Sequence, residues 1–208
     1  SKINHKEHIV LPICALSHKA EDGPVCIIRI DPESRFQTFR GFGCAVTESA
    51  GYVLSFLPED MRRRIVGDCF SAGGNAYAFA RTHLNSCDFS LENWACVPER
   101  DETLASFSFE RSDRYLTPVL RLAAEQNGKL SVLVSPWSPP AWMKTNGDMN
   151  NGGRLKAEYR RLWADYFVRF LQGLRDRGLH PGYVTIQNEC EAAQTWDSCL
   201  WTGQEEAE

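Results

Sequence analysis

Short, nearly continuous apolar runs alternate along this chain with longer segments whose apolar residues recur every three to four positions. Gly41-Phe42-Gly43-Cys44-Ala45 is one such run. Helical spacing follows it from Ser49 to Phe56 and resumes after Pro58, where Glu59 and Asp60 suit a helix N-terminus. Tyr77 to Thr82 is a second buried-strand pattern, and a helix is predicted from about Ser112 to Gln126, closed by Asn127-Gly128. Leu130 to Ser135 is the clearest strand; it runs into the stiff loop Pro136-Trp137-Ser138-Pro139-Pro140. An amphipathic helix from about Lys156 to Arg177 stops at Gly178, and Tyr183 to Asn188 reads as a fourth strand with Glu189 just past it. Ahead of all this, Val25 to Ile30 and Arg35 to Phe39 flank the turn signal Asp31-Pro32 and suggest a hairpin.

Strand and helix in alternation imply a parallel sheet with right-handed crossovers. The unusual polar and aromatic residues all follow the strands, as they do on the active face of a (β/α)8 barrel. The expected fold is therefore α/β: about four βα units, the N-terminal half of a (β/α)8 TIM barrel, over residues 41–208. Residues 1–40 form an extended or β segment before it. A doubly wound sheet would carry a Gly-rich phosphate turn after its first strand, and Gly41-Phe42-Gly43 lacks the third glycine.

Composition narrows the function. The 208 residues carry a net charge of -4 with dispersed cations, so no basic face for nucleic acid is evident. No apolar stretch is long enough to span a membrane, and Ser1 to Glu7 opens polar with no signal core, which favours a cytoplasmic location. The 8 cysteines include no C-x-x-C pair and read as reduced, partly buried thiols rather than zinc ligands. His5 and His8 could make a weak metal pair, but a solvated tail accounts for them, and neither a metal nor a cofactor is implied.

A few residues stand out for their chemistry. A carboxylate at the end of a buried strand, as Glu189 is, can be kept protonated by desolvation and so give a proton to a leaving oxygen; it can equally be a loop or capping acid. Asn188 beside it can orient a hydroxyl. Trp137, framed by prolines, offers a flat apolar face suited to the C–H face of a sugar ring, or fills the core. Arg81 interrupts the apolar strand Tyr-Ala-Phe-Ala-Arg-Thr, and a buried guanidinium calls for a carboxylate or several carbonyls. Asp88 could cap its loop or accept two hydrogen bonds from a diol. Glu48, Glu158 and Glu191 have less context, and Glu158 reads as part of a solvated helix face.

Taken together these segments resemble glycoside hydrolase family 30, and within it the glucosylceramidase-like β-glucosidases. The likeness rests on Gly41-Phe42-Gly43, on the run from Arg81 to Ser90 (Arg-Thr-His-Leu-Asn-Ser-Cys-Asp-Phe-Ser), on the loop from Ser135 to Gly147, and on Thr185-Ile186-Gln187-Asn188-Glu189. The resemblance implies a retaining β-glycoside hydrolase, linked to carbohydrate and sphingolipid metabolism. Glu189 would be its acid/base and Asn188 a sugar contact, with Arg81 supporting the nucleophile and Asp88 and Trp137 lining the glucose subsite. Two departures qualify it. Cys190 stands where the family motif continues with proline, which frees the backbone after Glu189. The family's nucleophile comes from the seventh strand, whereas these 208 residues reach only the fourth. The expectation is a chain carrying half of a catalytic carboxylate pair and inactive on its own, its partners being a β-glucoside and the missing C-terminal half. A carbohydrate-binding remnant, or a subunit that completes its barrel with a second chain, are the alternatives.

Overall fold

The four apolar runs after residue 40 pair into one sheet. The computed structural model describes Asp31 and residues 33–207. Its strands β1 (Gly43–Ala45), β2 (Phe79–Leu84), β3 (Ser131–Pro136) and β4 (Pro181–Val184) are all parallel and lie in the order β1-β2-β3-β4. Each crossover is helical: α1 (Glu48–Ser55) and α2 (Glu59–Phe70), then α3 (Glu110–Gln126), then α4 (Arg160–Asp176). A last short helix, α5, covers Gly203–Ala207. This is the α/β arrangement expected, roughly half of a (β/α)8 barrel.

Several strand boundaries moved, and two of the shifts have a plain cause. β2 runs two residues further than its apolar pattern suggested, through His83 and Leu84, because the backbone partners offered by β3 continue to Pro136. β4 begins at Pro181, ahead of the predicted Tyr183, since a first-position proline forfeits no ladder donor that the edge needs. Its pairing continues in single hydrogen bonds, Thr185 N–H to the Val134 carbonyl and Asn188 N–H to the Pro136 carbonyl, both 2.9 Å. That continuation carries the chain to Glu189. The first arm of the expected hairpin, Val25 to Ile30, lies outside the described residues, and Arg35 to Phe39 forms no strand among them. The chain divides into compact units up to Thr38 and from Phe39 onward.

Local sequence explains the helices. Thr47 caps α1 by accepting the Ala50 N–H through its hydroxyl, and Glu48 fills the first turn. α3 buries Leu116, Leu120 and Ala123, and α4 buries Trp163, Tyr166, Phe170 and Leu174, each set on one stripe. Gly178, at φ +76°, takes the left-handed turn that ends the segment after α4. Gly51 is needed for another reason: a Cβ there would lie 2.2 Å from the Tyr115 carbonyl oxygen, so only glycine lets α1 approach α3. These stripes meet Ala80, Val132 and Val134 of the sheet, all fully buried, to make the core.

The opposite face of the same strands is bare. Gly43, Ala45, Phe79, Arg81, Leu133 and Tyr183 line an open trough of about 500 Å³. A closed barrel fills this space with stacked layers of side chains. Along the β4 edge Val184 and Ile186 are exposed as well.

Candidate active site

The ends of β2, β3 and β4 open on one side of the sheet, and the loops that follow them converge there. Arg81, Asp88, Trp137, Asn188 and Glu189, the five residues singled out by sequence, line a single cavity of about 200 Å³ together with Ala45, Thr47, Thr82, His83 and Phe89. Three separate loops are needed to bring them together.

Arg81 is the hub. Its Nε donates to Ser135 Oγ at 3.0 Å and its Nη2 to Asn188 Oδ1 at 2.7 Å, while the guanidinium lies 4.6 Å over the Trp137 ring. Thr185 Oγ1 donates to the same Ser135 hydroxyl at 2.7 Å. The expected partner was a carboxylate or a set of carbonyls. Instead, among the described residues, a hydroxyl, an amide oxygen and an aromatic face hold the cation, which suffices because Arg81 is only partly buried at the mouth of the trough.

Trp137 is buried, at 8% exposure, with one face covered by Arg81, so that face does not present itself to a ligand. Its indole Nε1–H is buried without a hydrogen-bond partner among the described residues. A buried donor left unpaired costs roughly 1–3 kcal/mol unless something accepts from it. Gln187 Nε2 donates to the Trp137 carbonyl at 2.7 Å, and so pins the indole loop to the end of β4.

Glu189 and Asp88 are both exposed. The burial anticipated for Glu189 is therefore not supplied by these four βα units. What marks Glu189 instead is its backbone, at φ +47°. For a residue with a Cβ that left-handed conformation costs about 1–2 kcal/mol, and such outliers gather at functional sites. A proline at position 190 would press the preceding residue toward extended backbone; Cys190 applies no such restriction.

Sequence reasoning gave no role to the groups that hold this cavity in shape. His83 is fully enclosed: its Nε2 accepts the Glu48 N–H at 3.1 Å, so the proton sits on Nδ1, which donates to the Asn85 carbonyl at 2.5 Å. Burial pushes its pKa down, and with both nitrogens engaged the ring is a neutral wall. Glu48, with no solvent exposure, accepts from Leu91 N–H, Trp94 Nε1–H and the Arg111 guanidinium. It is a structural carboxylate, and its neighbours in sequence gave it no context. Glu158 is exposed, as its pattern implied. The described cysteines, Cys44, Cys69, Cys87, Cys96, Cys190 and Cys199, are free thiols. No cluster of three or more His, Cys, Asp or Glu suited to a metal occurs among the described residues, and no described helix is long and apolar enough to cross a membrane.

Comparison with known proteins gives this arrangement its relatives. The chain is 33% identical over 175 residues to lysosomal acid glucosylceramidase of Mus musculus, covering 80% of this chain and 34% of that protein. It is 31% identical over 165 residues to an endo-1,6-β-D-glucanase of Neurospora crassa, covering 76% and 34%. The crystal structure of SrfJ from Salmonella typhimurium superposes with a TM-score of 0.80 at 40% identity, covering 82% of this chain and 38% of that one. The chain thus spans about a third of the length of the curated relatives it matches. The glycosyl hydrolase family 30 TIM-barrel domain matches residues 39–202, and the chain belongs to that family.

Proposed function

We propose that this chain supplies the acid/base half of a retaining β-glucoside hydrolase, with Glu189 as the proton donor. The observation that carries this is the convergence of Arg81, Asp88, Trp137, Asn188 and Glu189 on one cavity. At about 200 Å³ it is smaller than the roughly 300–1,000 Å³ clefts that take drug-sized ligands, which suits a single sugar ring. The two curated relatives named above carry glucose in their names, which favours glucose over other sugars; ceramide as the other half of the substrate is favoured by the murine relative and by relatives from Caenorhabditis elegans that also carry glucosylceramidase in their names.

In this reading Asp88 accepts two hydroxyls of the sugar. Asn188, its oxygen committed to Arg81, offers its NH2 group to another. Glu189, as the acid, protonates the glycosidic oxygen while the C–O bond breaks and a second carboxylate attacks the anomeric carbon. As carboxylate it then takes a proton from the water that releases the sugar. The two carboxyl groups of a retaining pair stand about 5–5.5 Å apart, and the second would come from βα units that close the trough. The open face and edges of the sheet favour such closure, by further units of the same polypeptide or by a second chain.

The test joins residues 1–208 to the four C-terminal βα units of a family member and compares two substrates. Glu189→Gln should lower hydrolysis of an alkyl β-glucoside by about 10²–10⁴-fold. A dinitrophenyl β-glucoside, whose leaving group needs no proton, should lose far less in the bond-breaking step. Equal losses on both substrates would remove Glu189 from the role of acid. The 208-residue chain alone should hydrolyse neither above background while still binding glucose-type ligands weakly through the cavity.

A further inference from the structure

Lys144 lies on the loop after β3 with no solvent exposure and no carboxylate within ion-pair distance among the described residues. Its Nζ donates to two backbone carbonyls from different segments, Met149 at 2.9 Å and Ser198 at 2.6 Å. Ser198 belongs to the loop that begins at Glu189. Around it the two loops are stitched further by Gly152 N–H to Ser198 Oγ and Asn151 N–H to the Gln194 carbonyl, while the loop after β4 is held together internally by Gln194 N–H to Ser198 Oγ and Trp201 N–H to the Cys190 carbonyl. The loop after β2 joins through Ser86 Oγ, which donates to Asp197 Oδ1 at 2.6 Å, and through the reciprocal amide pair Asn93–Asn150.

We infer that Lys144 is a positioning residue for Glu189: it latches the strand-end loops to one another, and opening of that rim is coupled to uptake of a proton by its amine. The significance for catalysis rests on the proposed role of Glu189; the latch itself does not. A cation buried against carbonyls alone has given up water without gaining a countercharge, so the closed rim disfavours the charged form and the opened, hydrated rim favours it. In keeping with this, burial lowers the pKa of Lys144 from 10.5 to about 8. The sign follows from linkage. The open rim binds more protons than the closed one between about pH 8 and 10.5, so raising the pH through that window tightens the rim.

The other charged groups around Lys144 act elsewhere on the pH scale or in the opposite sense. Asp148, on its own loop, is held below the usual carboxylate range by the backbone N–H of Asn150, and it titrates in acid. Burial raises the Asp197 carboxyl above its ordinary value, so its ionisation as the pH rises favours opening, the opposite sense. Cys199, whose thiol burial pushes up and which Arg154 faces, would favour opening near and above pH 9, where an exposed thiol ionises. Cys199→Ser removes that opposing effect.

The experiment is hydrogen exchange of the protein from pH 7 to 9, corrected for the intrinsic pH dependence of amide chemistry, with no substrate present. Rim segments 144–155 and 187–201 should exchange about tenfold more slowly at pH 9 than at pH 7 in the Cys199→Ser background, while α3 should show no such trend. Lys144→Met should leave the rim profile flat. A flat profile in the protein that retains Lys144 overturns the latch whether or not any variant folds, and so does a trend shared equally by α3. Either result leaves the acid role of Glu189 standing, because that role is read by the two-substrate comparison.

Discussion

The two faces of this sheet are made from alternate residues of the same strands, yet one is finished and the other is not. Ala80, Val132 and Val134 point to the helices and are fully buried, whereas Phe79 and Leu133, one residue away in the same two strands, line an open trough with Tyr183 of β4. A parallel sheet is stable only with both faces covered, so the period-2 alternation that elsewhere separates core from water here separates a completed interface from one awaiting its partner. The rim above shows a third condition: polar, buried, and closed by its own hydrogen bonds.

Substitutions should follow that division. The largest expected effects are on the helical side. Phe170→Ala should cost about 3–5 kcal/mol in urea unfolding, since the ring is 1% exposed and the site cannot collapse freely. Glu48→Gln should cost less, about 1–3 kcal/mol, by weakening the buried acceptor of the Leu91 and Trp94 N–H groups, while Glu92 remains as countercharge to the partly exposed Arg111. Tyr183→Ser, on the open face, should cost only about 1–1.5 kcal/mol, the worth of its edge contact with the Phe79 ring. A loss near that of Phe170→Ala, accompanied by a change in sedimentation, would mean that the trough is already covered in solution.

On the rim the effects should be smaller and of the opposite sign. Glu189→Gly should stabilise the protein by about 1 kcal/mol by relieving the φ +47° backbone, while removing the proposed acid. A destabilised glycine variant would show that the Glu189 side chain contributes packing that its exposure conceals. The least effect is expected at Asp197. Burial raises its pKa, so its charged form is disfavoured by folding and the protein gains stability from this group as the pH falls through its folded value. Asp197→Asn, which keeps an oxygen acceptor for Ser86, should therefore be slightly more stable than the parent at pH 7, with the difference vanishing toward pH 4. A difference independent of pH would point to lost hydrogen bonding instead.

Much of this was legible in the order of residues. Apolar runs of four to six residues can only be buried strands when helical stripes separate them, so the α/β alternation, the parallel sheet and the place of the chemistry at strand ends followed from period alone. Arg81, Trp137 and Glu189 were conspicuous because each breaks a local rule: a charge in an apolar strand, an indole among prolines, an acid past a strand. His83, Glu48, Lys144 and Asp197 break no local rule. Their surroundings come from segments far apart in sequence, as with Glu48 and Arg111 or Lys144 and Ser198, and no window of neighbouring residues can show that they are buried.

Sequence by itself determined which elements form, and it marked five residues for one site, because hydrophobic period and rule-breaking are local properties. Tertiary structure alone decided how those residues divide their valences. Whether the Trp137 ring presents a face or is covered by a cation, whether Arg81 meets a carboxylate or an amide, and whether Glu189 is enclosed or open depend on which strand lies beside which. That adjacency is fixed by the packing of the whole sheet, whose inner face is still open along β1 and β4.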